Sequence, residues 1–455
     1  MKILNHLTFY NLSLRHLALT VALLLSLGTM AQETEEEPAK EKEKVNLFTS
    51  DIQFRTRGEM RYGGLSKESG APIDKNSNFI IGRTRVILGY ERKWLAANVN
   101  LQHIGVWGQE GRGSFNVNEA WAKVHSKQGL FAQVGRIALS YDDERIIGPD
   151  DWSVASLSHD ALRAGYEGHG HKAHAIFCYN QNAATVDEGG NYYSDGALPY
   201  KLMQTVWYHY DVPTFPLSAS ILFMNIGMQA GKKNTDSEHN EWQQLLGAYV
   251  KYEPKKWSVE ASYYRQMGHE EHGLEIDAWM ASICAKATPK PTYGFIAGYD
   301  YLSGDENFVV PPTGSIGLVR HEKIRGFNPV YGSHHKFYGA MDFFYVTTYY
   351  GGFSPGLQNA YAGGFVRPVK GLDIGAKYHF MGITANIRDM NKILGHQVEV
   401  EVSYTFLKCC TLTAGYTYMH GTETMERLKR TSANRTLHWG WLMLNITPRV
   451  FYTKW

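Results

Sequence analysis

From Asp51 onward apolar and polar residues alternate with a period of two. In the first run Ile52, Phe54, Met60 and Tyr62 share one face, and Gln53, Arg55, Arg57, Glu59 and Arg61 share the other. A strand apolar on one side and charged on the other fits lipid outside and a wet lumen inside. The second run puts Val86, Leu88 and Tyr90 outward and Arg83, Arg85 and Ile87 inward. The third puts Leu95, Ala97, Val99 and Leu101 outward and Asn98, Asn100 and Gln102 inward. Only Glu91, Arg92 and Lys93 separate these two runs, which predicts a tight turn.

Short turns of this kind recur, at Ser126–Gly129, Gly168–Gly170, Asp211–Pro216, Glu253–Lys256, Thr288–Pro291, Pro368–Gly371 and Lys408–Cys410. Longer polar links alternate with them, at Gly63–Ser77, Tyr141–Ser158, Asn182–Pro199 and Gly231–Asn240. Short turns on one side and long loops on the other are the habit of membrane barrels. A direct tally gives about nineteen strand-like runs, an odd number that would leave the termini on opposite sides. The aromatic run Phe337–Tyr349 is the doubtful one. Counting it as a strand would put the turn Pro368–Gly371 on the long-loop side. Placing 304–356 in one long extracellular insertion avoids this and predicts an all-β fold, a transmembrane antiparallel β-barrel of about eighteen strands. Loops that long are uncommon unless functional. The insertion is either an exposed lid or a segment folded into the lumen that narrows the pore. The last strand is read at about Arg435–Thr447, where Pro448 breaks the run and leaves the tail Arg449–Trp455 outside the barrel.

The N-terminus adds a destination. Lys2, His6, Arg15 and His16 precede an apolar run, Leu17–Leu27, and then Thr29 and Ala31 in a small-x-small pattern. This is a signal peptide over 1–31, cleaved after Ala31. Residues 32–48 read as a disordered charged periplasmic lead, and 49–455 as the barrel. No later segment approaches the ~18 consecutive apolar residues of a membrane-spanning helix. Mean hydropathy is −0.34, yet the chain carries 29 Tyr, 11 Trp and 45 Gly. A barrel reconciles the two, because half of each strand faces lipid and half faces water. The outer membrane is the expected location. Its lipid and the barrel assembly machinery, for which the terminal Trp455 is the usual kind of signal, are the expected partners. The net charge of +2 singles out no partner, and no nucleic-acid partner is expected.

The inward basic residues carry the most chemical information. Arg55, Arg57, Arg61, Arg83 and Arg85 fall on the lumen face of two adjacent strands, and Arg163 on that of a third. Lumen arginines favour anions and bind carboxylate or phosphate through a two-pronged fork. Two readings stay open. One is a pathway for anionic small solutes or acidic saccharides. The other is a ladder of lumen salt bridges with Glu59, Glu91, Glu119 and Glu167. A general or phosphate-selective porin and a barrel enzyme acting on lipid or polysaccharide are the alternatives in function. Ser153, Ser156, Ser158, His159 and Asp160 crowd together without a nucleophile elbow, so no catalytic residue is assigned. His269, Glu270, Glu271 and His272 lack the spacing of a metalloprotease helix and read as a solvated loop. The four cysteines have no metal-type spacing. No metal and no cofactor are expected.

Particular stretches resemble the alginate export family of outer-membrane porins. They are RTRVILGYERKW and NLQHIGVWG within 83–108, NEAWAKV at Asn118–Val124, VGRIALSYDDERIIGPDDW at Val134–Trp152 and SHDALRAGY at Ser158–Tyr166. YDYLSGD at Tyr299–Asp305 and FNPVYGSHHKFYGAMDFFY at Phe327–Tyr345 are similar to family members as well. The resemblance implies an eighteen-stranded barrel with an arginine-lined pore for a polyanionic sugar polymer. It adds Arg136 and Arg145 to the pore-lining, anion-binding set, through the pattern Gly135, Arg136, Tyr141, Arg145 and Trp152. The alternation Leu130, Ala132, Val134 predicts Arg136 outward, so its place in that set requires a bulge near Gly135 or an end to the strand there.

The mature chain is expected to start at Gln32. N-terminal sequencing of protein purified from outer membranes checks this, and recovery of Met1 there would refute it.

Overall fold

The computed structural model describes residues 46–63, 76–181, 198–232, 235–306, 323–344, 354–429 and 436–455. The expected signal peptide, most of the expected charged lead and parts of the expected long insertion lie outside the described residues. The strands are β1 (Leu47–Tyr62), β2 (Asn76–Arg92), β3 (Leu95–Val106), β4 (Ser114–His125), β5 (Leu130–Ile137), β6 (His159–Gly168), β7 (His171–Tyr179), β8 (Tyr200–Asp211), β9 (Leu217–Ala230) and β10 (His239–Tyr252). They continue with β11 (Trp257–His269), β12 (Glu275–Lys290), β13 (Tyr293–Leu302), β14 (Lys323–Ile324), β15 (Leu357–Val366), β16 (Leu372–Gly382), β17 (Ile393–Leu407), β18 (Cys410–Gly421), β19 (Thr436–Ile446) and β20 (Arg449–Lys454).

Each long strand pairs antiparallel with its neighbour in sequence, and β1 closes the sheet by pairing with both β2 and β19. β13 pairs directly with β15, so the aromatic run after Gly326 is not a wall strand. β14 is a two-residue bridge alongside β12, and β20 prolongs β19. The wall is therefore a closed antiparallel barrel of eighteen strands. Closure leaves no edge to satisfy in lipid, which is why a barrel and not an open sheet can span a membrane.

The faces of β1, β2 and β3 follow the alternation. Arg57, Glu59, Arg83, Arg85, Asn100 and Gln102 are buried inside, while Phe54, Met60, Val86 and Val99 are exposed outside. The C-terminal tail departs from the sequence reading. Arg449–Lys454 pairs with Leu47–Asp51 and is part of the wall. Pro448 removes one amide donor, yet its carbonyl still accepts from Ile52 N–H at 3.2 Å, and a register shift at Ser50 and Asp51 absorbs the break.

The lumen is not a plain watery bore. The inward faces of β7, β8 and β9 carry Ile176, Cys178, Met203, Leu222, Met224 and Ile226, all buried. Two segments fold inward and cover them. One is the strap 138–158 between β5 and β6, contributing Leu139, Tyr141, Ile146 and Ile147. The other is the arm 323–344 between β13 and β15, contributing Phe327, Tyr331, Phe343 and Phe344. Burying a large apolar side chain stabilises by roughly 1.5–3 kcal/mol, so this inner core is a strong reason for both segments to stay inside.

Candidate functional site

The strap crosses the bore, because its two ends are tied to opposite parts of the wall. At one end Asp142 accepts hydrogen bonds from Trp207 Nε1 at 3.0 Å, Ser220 Oγ at 2.5 Å and Tyr264 Oη at 3.4 Å, on β8, β9 and β11. At the other end Asp151 meets Arg55, Arg83 and Arg85 of β1 and β2 at 2.8, 2.9 and 2.9 Å. Arg55 and Arg57 also donate to the carbonyls of Asp151 and Trp152, at 2.6 and 2.9 Å. Trp152 lies 4.0 Å from the Arg57 guanidinium and stacks on His335 of the arm at 4.0 Å. Burial works against the charged form of Asp151, but Arg83, Arg55 and Arg85 outweigh it and hold the carboxyl down at about 2.

Five of the sequence-derived arginines thus come together. Arg55, Arg83 and Arg85 share Asp151, while Arg57 and Arg61 share Glu59 at 2.8 and 2.9 Å. Five guanidiniums meet two carboxylates on this wall. Two of the other expected partners, Glu119 and Glu167, are engaged elsewhere. Glu119 accepts from Trp121 Nε1 at 3.0 Å, and Glu167 lies 3.0 Å from His174 Nε2. Arg163 faces the lumen apart from the cluster and donates to Gln133 at 3.0 Å. Arg145 is fully buried, with Asp300 at 3.0 Å, Asp143 at 3.2 Å and the Tyr338 hydroxyl at 3.2 Å. It clasps the strap to β13 and the arm, at the edge of a cavity it also lines. Arg136 does not belong to the lumen set. Gly135 adopts φ +126° yet keeps its pairing, so the strand runs on and Arg136 points outward to Asp160 at 2.8 Å. A Cβ at Gly135 would meet Ala120 O at 2.1 Å, so only glycine fits there. The Ser–His–Asp run also separates, since His159 is buried inside and bonds Tyr200 Oη while Asp160 lies on the outer face.

Below the strap and arm, towards the short-turn side, lie two cavities of about 380 and 430 Å³ that share Lys286, Ile296, Lys336 and Lys377. The lysines were passed over in the sequence, although Lys286 and Lys377 occupy inward positions between outward neighbours of small or aromatic type. Each has a carboxylate set behind it. The lysine and carboxylate side chains are 46% and 12% exposed for Lys286–Glu260, 37% and 12% for Lys377–Glu399, and 55% and 17% for Lys336–Glu144. In each of these three pairs the lysine is the more exposed partner.

The described metal-type cluster Glu270, Glu271 and His272 is an exposed turn held by its own hydrogen bonds. The cysteines are unbridged, three of them buried.

Asp150, next to the clasp, donates its amide to Ser333 Oγ at 3.0 Å. Burial first, then Asp342, pushes its carboxyl up to about 6, with His335 acting the other way. A raised acid favours docking when protonated, so its contribution is full at low pH and is lost as pH rises through about 6. Strap fluctuations, read as noise on single-channel current, should be smaller at about pH 5 than at about pH 7.5. Asp150→Asn should remove that difference, and equal noise in the unaltered chain at both values would contradict the assignment.

No protein-family model matches the chain, and no curated protein matches its sequence. Solved structures do match its fold. Pseudomonas aeruginosa OccK11 (OpdR) aligns over 89% of this chain and 96% of its own, with TM-score 0.58 and 10% identity. Acinetobacter baumannii OccAB1 aligns over 89% and 97%, with TM-score 0.57 and 12% identity. Acinetobacter baumannii OccAB4 aligns over 89% and 98%, with TM-score 0.58 and 8% identity. These are Occ/OprD outer-membrane porins, which supports a porin fold in general and does not single out the alginate export family. The chain is a closed eighteen-stranded antiparallel β-barrel with the fold of these porins.

Proposed function

We propose that this barrel is a passive diffusion channel for small solutes that carry an acidic group, acidic saccharides among them. The porin fold supports the channel, and the lysine-faced cavities beneath the strap support the charge preference. The carrying observation is that Lys286, Lys336 and Lys377 are each three times or more as exposed as the carboxylate behind them. At each of these three pairs an anion meets ammonium first and carboxylate second. The arginine wall adds to the field, but its guanidiniums are covered by the strap, and their first role is anchorage.

A unit charge about 5 Å away in water is worth under ~1 kcal/mol, and salt lowers this further. The carboxylate behind each lysine cancels part of its field, so the three together shift ion preference by about thermal energy. Reversal potential in a planar bilayer under a salt gradient should show anion preference. The triple change Lys286→Gln, Lys336→Gln and Lys377→Gln should lower the anion-to-cation permeability ratio by roughly two- to fivefold. Cation preference in the unaltered channel, or a ratio that the triple change leaves alone, would sink the acidic-solute reading and leave a general porin.

A further inference from the structure

The wall has its short turns at one end, and the chain ends meet there too, where Leu47 pairs with both Glu91 and Lys454. Exposed lysines crowd this rim. Lys93 lies in the β2–β3 turn, Lys256 in β10–β11, Lys370 in β15–β16 and Lys408 in β17–β18, while Lys290 ends β12 and Lys454 ends β20. Lys127 and Lys255 add to the β4–β5 and β10–β11 turns. Together they form one arc along the wall, from β10 through the closure at β1 to β5. None of these lysines has an ion pair or a side-chain hydrogen bond among the described residues.

The acids nearby are already engaged. Glu253 holds Lys251 at 2.6 Å, Asp51 holds Arg449 at 2.8 Å, and Asp373 holds Arg367. Glu91 has no such pair among the described residues, but Arg92 and Lys93 follow it directly. The arc is interrupted between β6 and β9. There Lys172 is bound to Asp211 at 3.1 Å, and the turn Val212–Pro216 carries no lysine. On the long-loop rim, by contrast, Lys323 meets Glu275 at 2.6 Å, Arg325 meets Glu306 at 3.7 Å and Arg388 meets Asp389 at 3.6 Å.

The neighbours of the lysines set their depth. Lys93, Lys256 and Lys454 are each followed by a tryptophan, Trp94, Trp257 and Trp455, about half exposed. Lys370 and Lys408 are each preceded by an exposed apolar residue, Val369 and Leu407. Trp257 packs on Tyr252 at 5.2 Å and Trp455 on Tyr90 at 6.5 Å, ring centre to ring centre. Tryptophan and tyrosine gather where hydrocarbon meets headgroups. A lysine one residue from such an indole stands among the headgroups, and its flexible stem lets the ammonium reach phosphate. A zwitterionic lipid brings its own ammonium with its phosphate. Unpaired lysines therefore favour headgroups of net negative charge.

We propose that the short-turn rim is a binding surface for anionic phospholipid of the periplasmic leaflet, along the lysine arc from β10 to β5. The proposal rests on the membrane-spanning part of the channel reading above and not on its cargo. A soluble acidic protein would match the charge but would leave the exposed indoles and Leu407 without a role.

The test uses the full-length protein in phosphatidylcholine vesicles that hold a small share of brominated lipid, either phosphatidylglycerol or phosphatidylcholine. Bromine quenches indole fluorescence on contact, so it reports which lipid lies beside Trp94, Trp257 and Trp455. The brominated phosphatidylglycerol should be enriched about tenfold over the brominated phosphatidylcholine, and about 1 M salt should abolish the enrichment. The triple change Lys93→Gln, Lys256→Gln and Lys454→Gln should bring it to within about twofold of parity. Lys323→Gln on the other rim should leave it unchanged. The lipid and salt comparisons need no variant, so they decide the matter even if the triple change impairs assembly. Equal quenching by the two lipids, enrichment that survives the triple change in folded protein, or enrichment abolished by inorganic phosphate at constant ionic strength would overturn the proposal, the last by assigning the lysines to free phosphate. A chain that carries no ion current in the same lipid fails the channel reading and the proposal with it, whereas a conducting chain with equal quenching fails the proposal alone.

Discussion

Three arginines on two adjacent strands share one carboxylate, and the shape of the lumen depends on that contact. Arg55, Arg83 and Arg85 are fixed to the wall, and Asp151 is fixed to the strap. Buried guanidiniums without a counter-charge are costly, so removing one partner of such a group typically destabilises by about 3–5 kcal/mol. The wall therefore demands an acid in the lumen, and the strap supplies it from the far side of the bore. Once Asp151 is docked, Trp152 reaches the Arg57 side chain and His335, and through them the arm is positioned.

Ionic contacts alone would make a poor anchor, because exposed pairs contribute only ~0–1 kcal/mol. The apolar packing of Ile147, Leu139 and Tyr331 against Met203, Leu222 and Met224 holds the segments inside. The two kinds of force divide the labour. Burial supplies most of the adhesion and has little directional preference. The arginines, Asp142 and Arg145 choose where along the wall the strap lies. What remains open beneath them is the pair of lysine-faced cavities.

The sequence made the wall legible, since a period of two with one lipid face leaves little freedom. The faces of β1, β2 and β3 and the count of eighteen followed from it, as did the exclusion of Phe337–Phe344 from the wall. The lumen was much less legible. Met203, Leu222 and Met224 look apolar in sequence, yet nothing local says that they face inward beneath a strap. Asp151 and its arginine partners lie 66 to 96 residues apart, and only closure of the barrel brings them together. The alternation rule already put Arg136 outside, and it was the family motif that drew it into the pore. Lys286 and Lys377 were readable by the same rule. They went unweighed because each is a single charge without the clustering that marked the arginines.

The clasp can be broken at its one shared acid. Single-channel conductance of Asp151→Ala beside the unaltered protein, in the same salt, reads the consequence directly. If the strap is held across the bore by Asp151, the variant should conduct more and flicker more, because the end of the strap is released from β1 and β2. A variant with the same conductance and the same quiet trace would show that the strap needs no arginine clasp, and that the bore is set by the apolar packing alone.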